Sequence, residues 1–166
     1  MKGFPLDKER GKIITFKERV IILLSTGGYV GYSPIAPGTV GSLWGIILGF
    51  FLSSLNPIAQ GFFLLFGVFV ASLLAGEAKD IFGGKDPGYI VCDEIIGFLV
   101  AIFLIPFTLF NVVAVFLLFR FFDILKPFPI RVIEERIRGG WGIVLDDVMA
   151  GLYANLSLMV LRWITG

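Results

Sequence analysis

Asp93-Glu94 and Asp146-Asp147 are two adjacent acid pairs, each bordering a long uncharged run. Carboxylates at the edge of apolar helices are costly to desolvate. They are paired, solvated at the interface, or bound to a cation. The chain has no histidine and one cysteine, Cys92. Oxygen donors without imidazole or thiolate suit a hard cation such as Mg²⁺. Lys79-Asp80 stands near the first pair in sequence. Arg120, Asp123, Lys126 and Arg131 form a further polar cluster. Arg120 and Asp123 share a helix face by their i,i+3 spacing. Lys126 precedes Pro127 and is pushed out of helical geometry, free to swing toward a head group. Arg120 and Arg131 have the fork geometry that grips phosphate. A loop rich in small residues, Ser33 to Ser42, feeds a helix whose N-terminus favours an anion near Thr39 and Ser42. Together these groups describe metal-assisted phosphoryl chemistry.

Each feature also has a plainer reading. The Ser33–Ser42 loop can be a turn with small residues for close helix packing. The Asp93 pair can be a solvated helix end, and one aspartate of the Asp146 pair can be an N-cap. Arg120, Lys126 and Arg131 can be cations snorkelling at a membrane surface. Their convergence on one face is more specific than any single cluster.

The absent residue types exclude other chemistries. Without histidine there is no His-ligated zinc, serine–histidine triad or phosphohistidine intermediate. A Cys-x5-Arg phosphatase would need arginine at position 98, where Phe98 stands. No Asp-x-Asp motif occurs, and the Asp-x-x-Asp-Gly opening of head-group transferases is missing. One cysteine allows no internal disulfide.

The elements that must position these residues are set by composition. Of 166 residues, 57% are apolar and 16% charged, against about 45–50% and about 25% in soluble domains. Mean hydropathy is +0.91. This excludes disorder and indicates an integral membrane protein. No charge lies between Arg19 and Glu77, between Glu94 and Arg120, or between Asp147 and Arg162. A basic stripe with interleaved aromatics is lacking, so no nucleic-acid partner is expected. Residues 1–19 read as a basic leader that favours the cytoplasm, not as a signal peptide. Residues 20–166 read as a single membrane domain.

Within it, residues 20–24 begin a short interfacial or re-entrant helix. Further helices are expected over about 40–55, 58–82, 89–105, 109–125 and 144–164, with a short amphipathic helix at 130–137. Residues 139–142 read as a loop. The expected fold is all-α: a polytopic bundle with about four spanning helices plus short interfacial or re-entrant ones. Residues 95–119 can form one kinked span or a hairpin turning at Pro106; the hairpin is preferred, because turns there and at Asn56-Pro57 put every charge except Arg162 on one face.

The chain resembles the bacterial phosphatidylglycerophosphatase A family. Five co-linear blocks carry the resemblance: Gly31-Tyr-Ser-Pro-Ile-Ala-Pro-Gly-Thr-Val-Gly-Ser42; Ala78-Lys-Asp80; Asp86 with Ile90-Val-Cys-Asp-Glu-Ile-Ile-Gly97; Phe119-Arg-Phe-Phe-Asp-Ile-Leu-Lys-Pro-Phe-Pro-Ile-Arg131; and Gly139-Gly-Trp-Gly-Ile-Val-Leu-Asp-Asp-Val-Met-Ala-Gly151. Cys92 occupies a variable spot. The resemblance implies a multi-pass enzyme of the bacterial inner membrane, with its site on the cytoplasmic side. It implies Mg²⁺-dependent removal of the terminal phosphate of phosphatidylglycerophosphate, giving phosphatidylglycerol. Asp93, Glu94, Asp146 and Asp147 would form the catalytic metal shell, with Asp80 and Asp123 as further ligands. Lys79, Arg120, Lys126 and Arg131 would hold phosphate, helped by Thr39 and Ser42. The nucleophile would be a Mg²⁺-activated water, with an aspartyl-phosphate on Asp93 or Asp146 as the variant. The competing class is a small transporter or channel with acids along a pathway. Against it, these acids fall at helix ends and not mid-span. Oligomeric state is left open.

Overall fold

A computed structural model describes residues 14–83 and 87–165. Asp86, part of the third matching block, and residues 1–13 of the leader lie outside the described residues. Seven α-helices and no strands occur among the described residues: α1 (Phe16–Ser25), α2 (Pro37–Leu52), α3 (Pro57–Phe82), α4 (Cys92–Ile102), α5 (Leu109–Leu125), α6 (Ile130–Arg136) and α7 (Gly140–Thr165). The all-α expectation holds.

Local chemistry explains most helix starts. Thr15 and Glu18 form a reciprocal capping box, which starts α1 four residues earlier than hydropathy suggested. Asn56 caps α3 by accepting from the Ala59 N–H at 2.9 Å, and Pro57 takes the first helical position. Thr108 caps α5 by accepting from the Asn111 N–H at 3.3 Å. The hairpin is present: α4 ends before Pro106 and α5 begins after it. Pro57 and Pro106 line one cavity of about 300 Å³, so both turns share one end of the bundle.

Only α3 and α7, among the described residues, are long and apolar enough to cross a membrane. At 1.5 Å per residue, α2 and α5 rise about 24 and 26 Å, and α4 about 16 Å, against ~30 Å of hydrocarbon. The expected four spans are therefore not met by length. α3 turns Phe62, Phe63, Leu65, Phe66 and Phe69 outward, an apolar surface larger than water-soluble monomers display.

The short α4 is the hub, packed against α2, α3, α5 and α7. Eight of its eleven residues are buried. Glycines make this possible. Gly38, Gly41, Gly45 and Gly49 recur on one buried face of α2. A Cβ at Gly41 would strike Val91, and one at Gly45 would strike Phe98. α4 ends inside the protein, where its last carbonyls need partners. Asn155 of α7 supplies them. Its Nδ2 donates to the carbonyls of Ala101 (2.9 Å) and Phe103 (2.8 Å).

Of the Gly139–Gly142 run expected as a loop, only Gly139 lies outside a helix. Gly140 opens α7 and lies against α3, where a Cβ would collide with the backbone of Ser72 and Gly76. Gly140 serves helix contact, while Gly139, at φ +76°, makes the turn into α7. Asp146 and Asp147 therefore lie in the second turn of α7, which removes the N-cap reading.

Candidate active site

Two glycine crossings set the positions of the acids. A Cβ at Gly151 of α7 would collide with the Gly97 carbonyl of α4, and one at Gly97 would meet the Asp147 carbonyl and the Phe119 ring. The helices touch backbone to backbone there. Asp93 lies one turn before Gly97, and Asp147 one turn before Gly151. The crossing thus brings the two acids together, with Glu94 beside Asp93. Carboxylate oxygens of Asp93, Glu94 and Asp147 all lie within 4.8 Å of one another. Asp93 is 9% exposed and Asp147 4%.

Asp93 Oδ1, Glu94 Oε2 and Asp147 Oδ2 are buried with no hydrogen-bond partner. Unpartnered buried carboxylate oxygens are expensive. Three carboxylates held this close, each with an unpartnered oxygen, supply the donor set of a hard divalent cation. Asp93 and Glu94 also occupy the first turn of α4, where the helix dipole favours negative charge. Asp123 of α5 lines the same cavity as Asp147. Asp146, 5% exposed, receives the Lys126 ammonium at 2.7 Å. Its Oδ1 also accepts the Asp147 N–H at 3.0 Å.

The cations are arranged around this core. Arg120 Nη1 sits 2.6 Å from Asp123 Oδ2, while its Nε is buried and without a partner. A Cβ at Gly38 would press on Glu94 Oε1 and lie 3.2 Å from Arg120 Nη1. The start of α2 therefore closes directly over the Glu94 and Arg120 heads. Lys126 terminates α5 at φ +46° and reaches Glu134 at 3.1 Å as well as Asp146. Burial lowers the Lys126 pKa, but hydrogen bonds and charge from Asp146 and Glu134 outweigh it. The net value lies above that of an ordinary lysine.

The acids and Lys126 line a cavity of about 440 Å³, within the range of small-ligand sites; Arg120 lies behind that wall, against Asp123. Asp93, Glu94, Asp123, Asp146, Asp147, Lys79 and Lys126 are all on its wall. Other expected residues are placed elsewhere. Asp80 is exposed and lines a separate cleft with Lys17 and Glu77. Arg131 is exposed and pairs with Glu135 at 3.1 Å. Ser42 is buried, its hydroxyl donating to the Gly38 carbonyl at 2.9 Å. Thr39 is half-buried on the first turn of α2 and does not line the cavity. The sequence reading did not single out Glu134 or Arg138, both on the wall. No spacing signal marks them, since α6 reaches the cavity only through the turn after Lys126.

Comparison with known proteins identifies the family. The family model described as phosphatidylglycerophosphatase A matches residues 23–162. The chain is similar to a phosphatidylglycerophosphatase A of Haemophilus influenzae, 41% identical over 147 residues, 86% of this chain and 89% of that protein. It is similar to one from Escherichia coli, 35% identical over 131 residues, 78% and 76% of the two chains. A Bacteroides thetaiotaomicron protein carrying the provisional name phosphatidylinositol-3-phosphatase is 35% identical over 152 residues, 87% and 95% of the two chains. No solved structure matches. The matched region includes every acid of the cavity, and with it the chain belongs to the phosphatidylglycerophosphatase A family.

Proposed function

We propose that the protein is a membrane-embedded, Mg²⁺-dependent phosphatase. It hydrolyses the terminal phosphomonoester of phosphatidylglycerophosphate to phosphatidylglycerol and phosphate. The observation that carries this reading is the trio Asp93, Glu94 and Asp147, held within 4.8 Å on one cavity wall, each with an unpartnered buried oxygen.

In this reading Asp93, Glu94 and Asp147 hold the cation, and Asp123 and Asp146 extend the acidic wall. When bound, the cation supplies positive charge for the phosphate oxygens and lowers the pKa of a water in the cavity. Arg120, held against Asp123 behind the wall, adds fixed positive charge that stabilises the transferring group in a partly dry site. Lys126 balances Asp146 and adds positive charge to the same wall. Gly38 leaves room for the Glu94 and Arg120 heads, which any side chain there would displace.

The apolar exterior of α3 supports a multi-pass position in the inner membrane. Lys17 of α1 donates to Glu77 at 2.9 Å, half a turn before Lys79, so the basic leader joins the bundle at its cavity end. By the positive-inside rule that end faces the cytoplasm. Single cysteines at Glu134 and Leu104 should then label from opposite sides; labelling from one side contradicts the orientation.

Phosphate release by purified protein tests the activity, comparing phosphatidylglycerophosphate, phosphatidylinositol-3-phosphate and phosphatidate in detergent with Mg²⁺. The first should be hydrolysed fastest. No release from it, or a clear preference for the inositol lipid, overturns the assignment.

A further inference from the structure

Lys79 and Arg138 also line the cavity. Neither has an ion-pair partner among the described residues, unlike Lys126, which is held by Asp146 and Glu134. The rim acids are also occupied: Glu134 by Lys126 and Glu135 by Arg131. Two unpaired cations therefore face a cavity whose remaining acids belong to the cation-binding wall.

Their placement is built into the helix packing. Gly140 of α7 meets Gly76 of α3 backbone to backbone. Lys79 lies one turn beyond Gly76 on the same face of α3. Arg138 lies two residues before Gly140, next to Gly139, whose φ of +76° turns the chain into α7. The Gly76–Gly140 contact thus anchors both cations at one corner of the rim. The Asp93–Glu94–Asp147 trio comes from the separate Gly97–Gly151 crossing.

A site for a lone phosphomonoester has no use for this second positive corner. We propose that Lys79 and Arg138 form a subsite for the inner phosphodiester of a lipid carrying two phosphates. They would thereby select phosphatidylglycerophosphate over lipids, such as phosphatidate, whose phosphomonoester is their only phosphate. This rests on the reading of the acid trio as the place where the terminal phosphate reacts. Charge-assisted hydrogen bonds from Lys and Arg to phosphate oxygens supply the recognition.

The test compares kcat/KM of Lys79→Gln, Arg138→Gln and the double variant on short-chain phosphatidylglycerophosphate and phosphatidate. Where phosphatidate turns over too slowly, its Ki as a competitive inhibitor is read instead. On the two-phosphate lipid each variant should lose roughly 10-fold or more, as expected for one charge-assisted contact, with the loss in KM. On phosphatidate the change should stay below about threefold, the scale of a screened surface charge. Lys79→Arg and Arg138→Lys should keep most of the selectivity. Equal losses on both lipids, losses confined to kcat, or no loss on either would overturn the subsite. Absence of phosphatidylglycerophosphate hydrolysis by the unaltered protein would overturn the underlying activity instead.

Discussion

Replacing Asp147 by asparagine is expected to stabilise the cation-free protein while abolishing turnover. Oxygens of Asp93, Glu94 and Asp147 lie within 4.8 Å of one another. At an effective dielectric constant of about 20, two unit charges at that separation repel by about 3 kcal/mol. Asp147→Asn removes two such pairs and gives the unpartnered Asp93 and Glu94 oxygens an amide donor. Burial raises the Asp93 pKa, so partial protonation there and water in the open cavity relieve part of the repulsion, and about 2–4 kcal/mol should remain. For a chain of this size that corresponds to a rise of roughly 5–10 °C in Tm. The assay is thermal unfolding in detergent, with chelator and then with Mg²⁺. The unaltered protein should gain stability from Mg²⁺, about 2.7 kcal/mol at a hundred times Kd, by mass action. The variant should gain almost none. If Asp147→Asn melts below the unaltered protein in chelator, or gains as much from Mg²⁺, the trio is not a cation site.

Three further outcomes follow from the packing. Asn155→Leu leaves the Ala101 and Phe103 carbonyls without their donor; at about 1–3 kcal/mol per stranded group, detergent melting should show a loss of about 2–4 kcal/mol. Gly151→Ala pushes a methyl against the Gly97 carbonyl, separating Asp93 from Asp147; phosphate release should fall at least 10-fold, since a shift near 1 Å can cost about 100-fold. Arg120→Gln should lower kcat/KM by roughly 30–1000-fold, the scale of about 2–4 kcal/mol of transition-state charge stabilisation, while Arg162→Gln, at the far end of α7, should change it little.

Much of the fold was legible because apolar runs and charge clusters report helices and their ends directly. The hairpin at Pro106 followed from keeping the charges on one face, and α4 and α5 separate there. Within the Gly139–Gly142 run, Gly140 was misread because glycine marks loops and close helix contacts alike, and only its partner, Gly76, distinguishes them. The count of about four spans is not confirmed by helix length, because hydropathy measures apolarity and not where a short helix such as α4 stops. Asp93, Glu94, Asp146 and Asp147 were identified from charge isolated beside apolar runs, and the structure gathers them on one wall. Asp80 fell outside it because adjacent residues on a helix point about 100° apart. Lys79 faces the cavity, so Asp80 faces the neighbouring cleft. Glu134 and Arg138 depend on how α6 folds back, which no local pattern encodes.

The central claim is that the acid trio holds a divalent cation that phosphate release requires. The most direct measurement is phosphate release from phosphatidylglycerophosphate by purified protein, titrated with Mg²⁺ after complete chelation, for the unaltered chain and Asp147→Asn. The unaltered protein should be silent in chelator and recover saturably with Mg²⁺, while Asp147→Asn stays silent throughout. Undiminished release in chelator, or a Mg²⁺ response by Asp147→Asn like that of the unaltered protein, would contradict it.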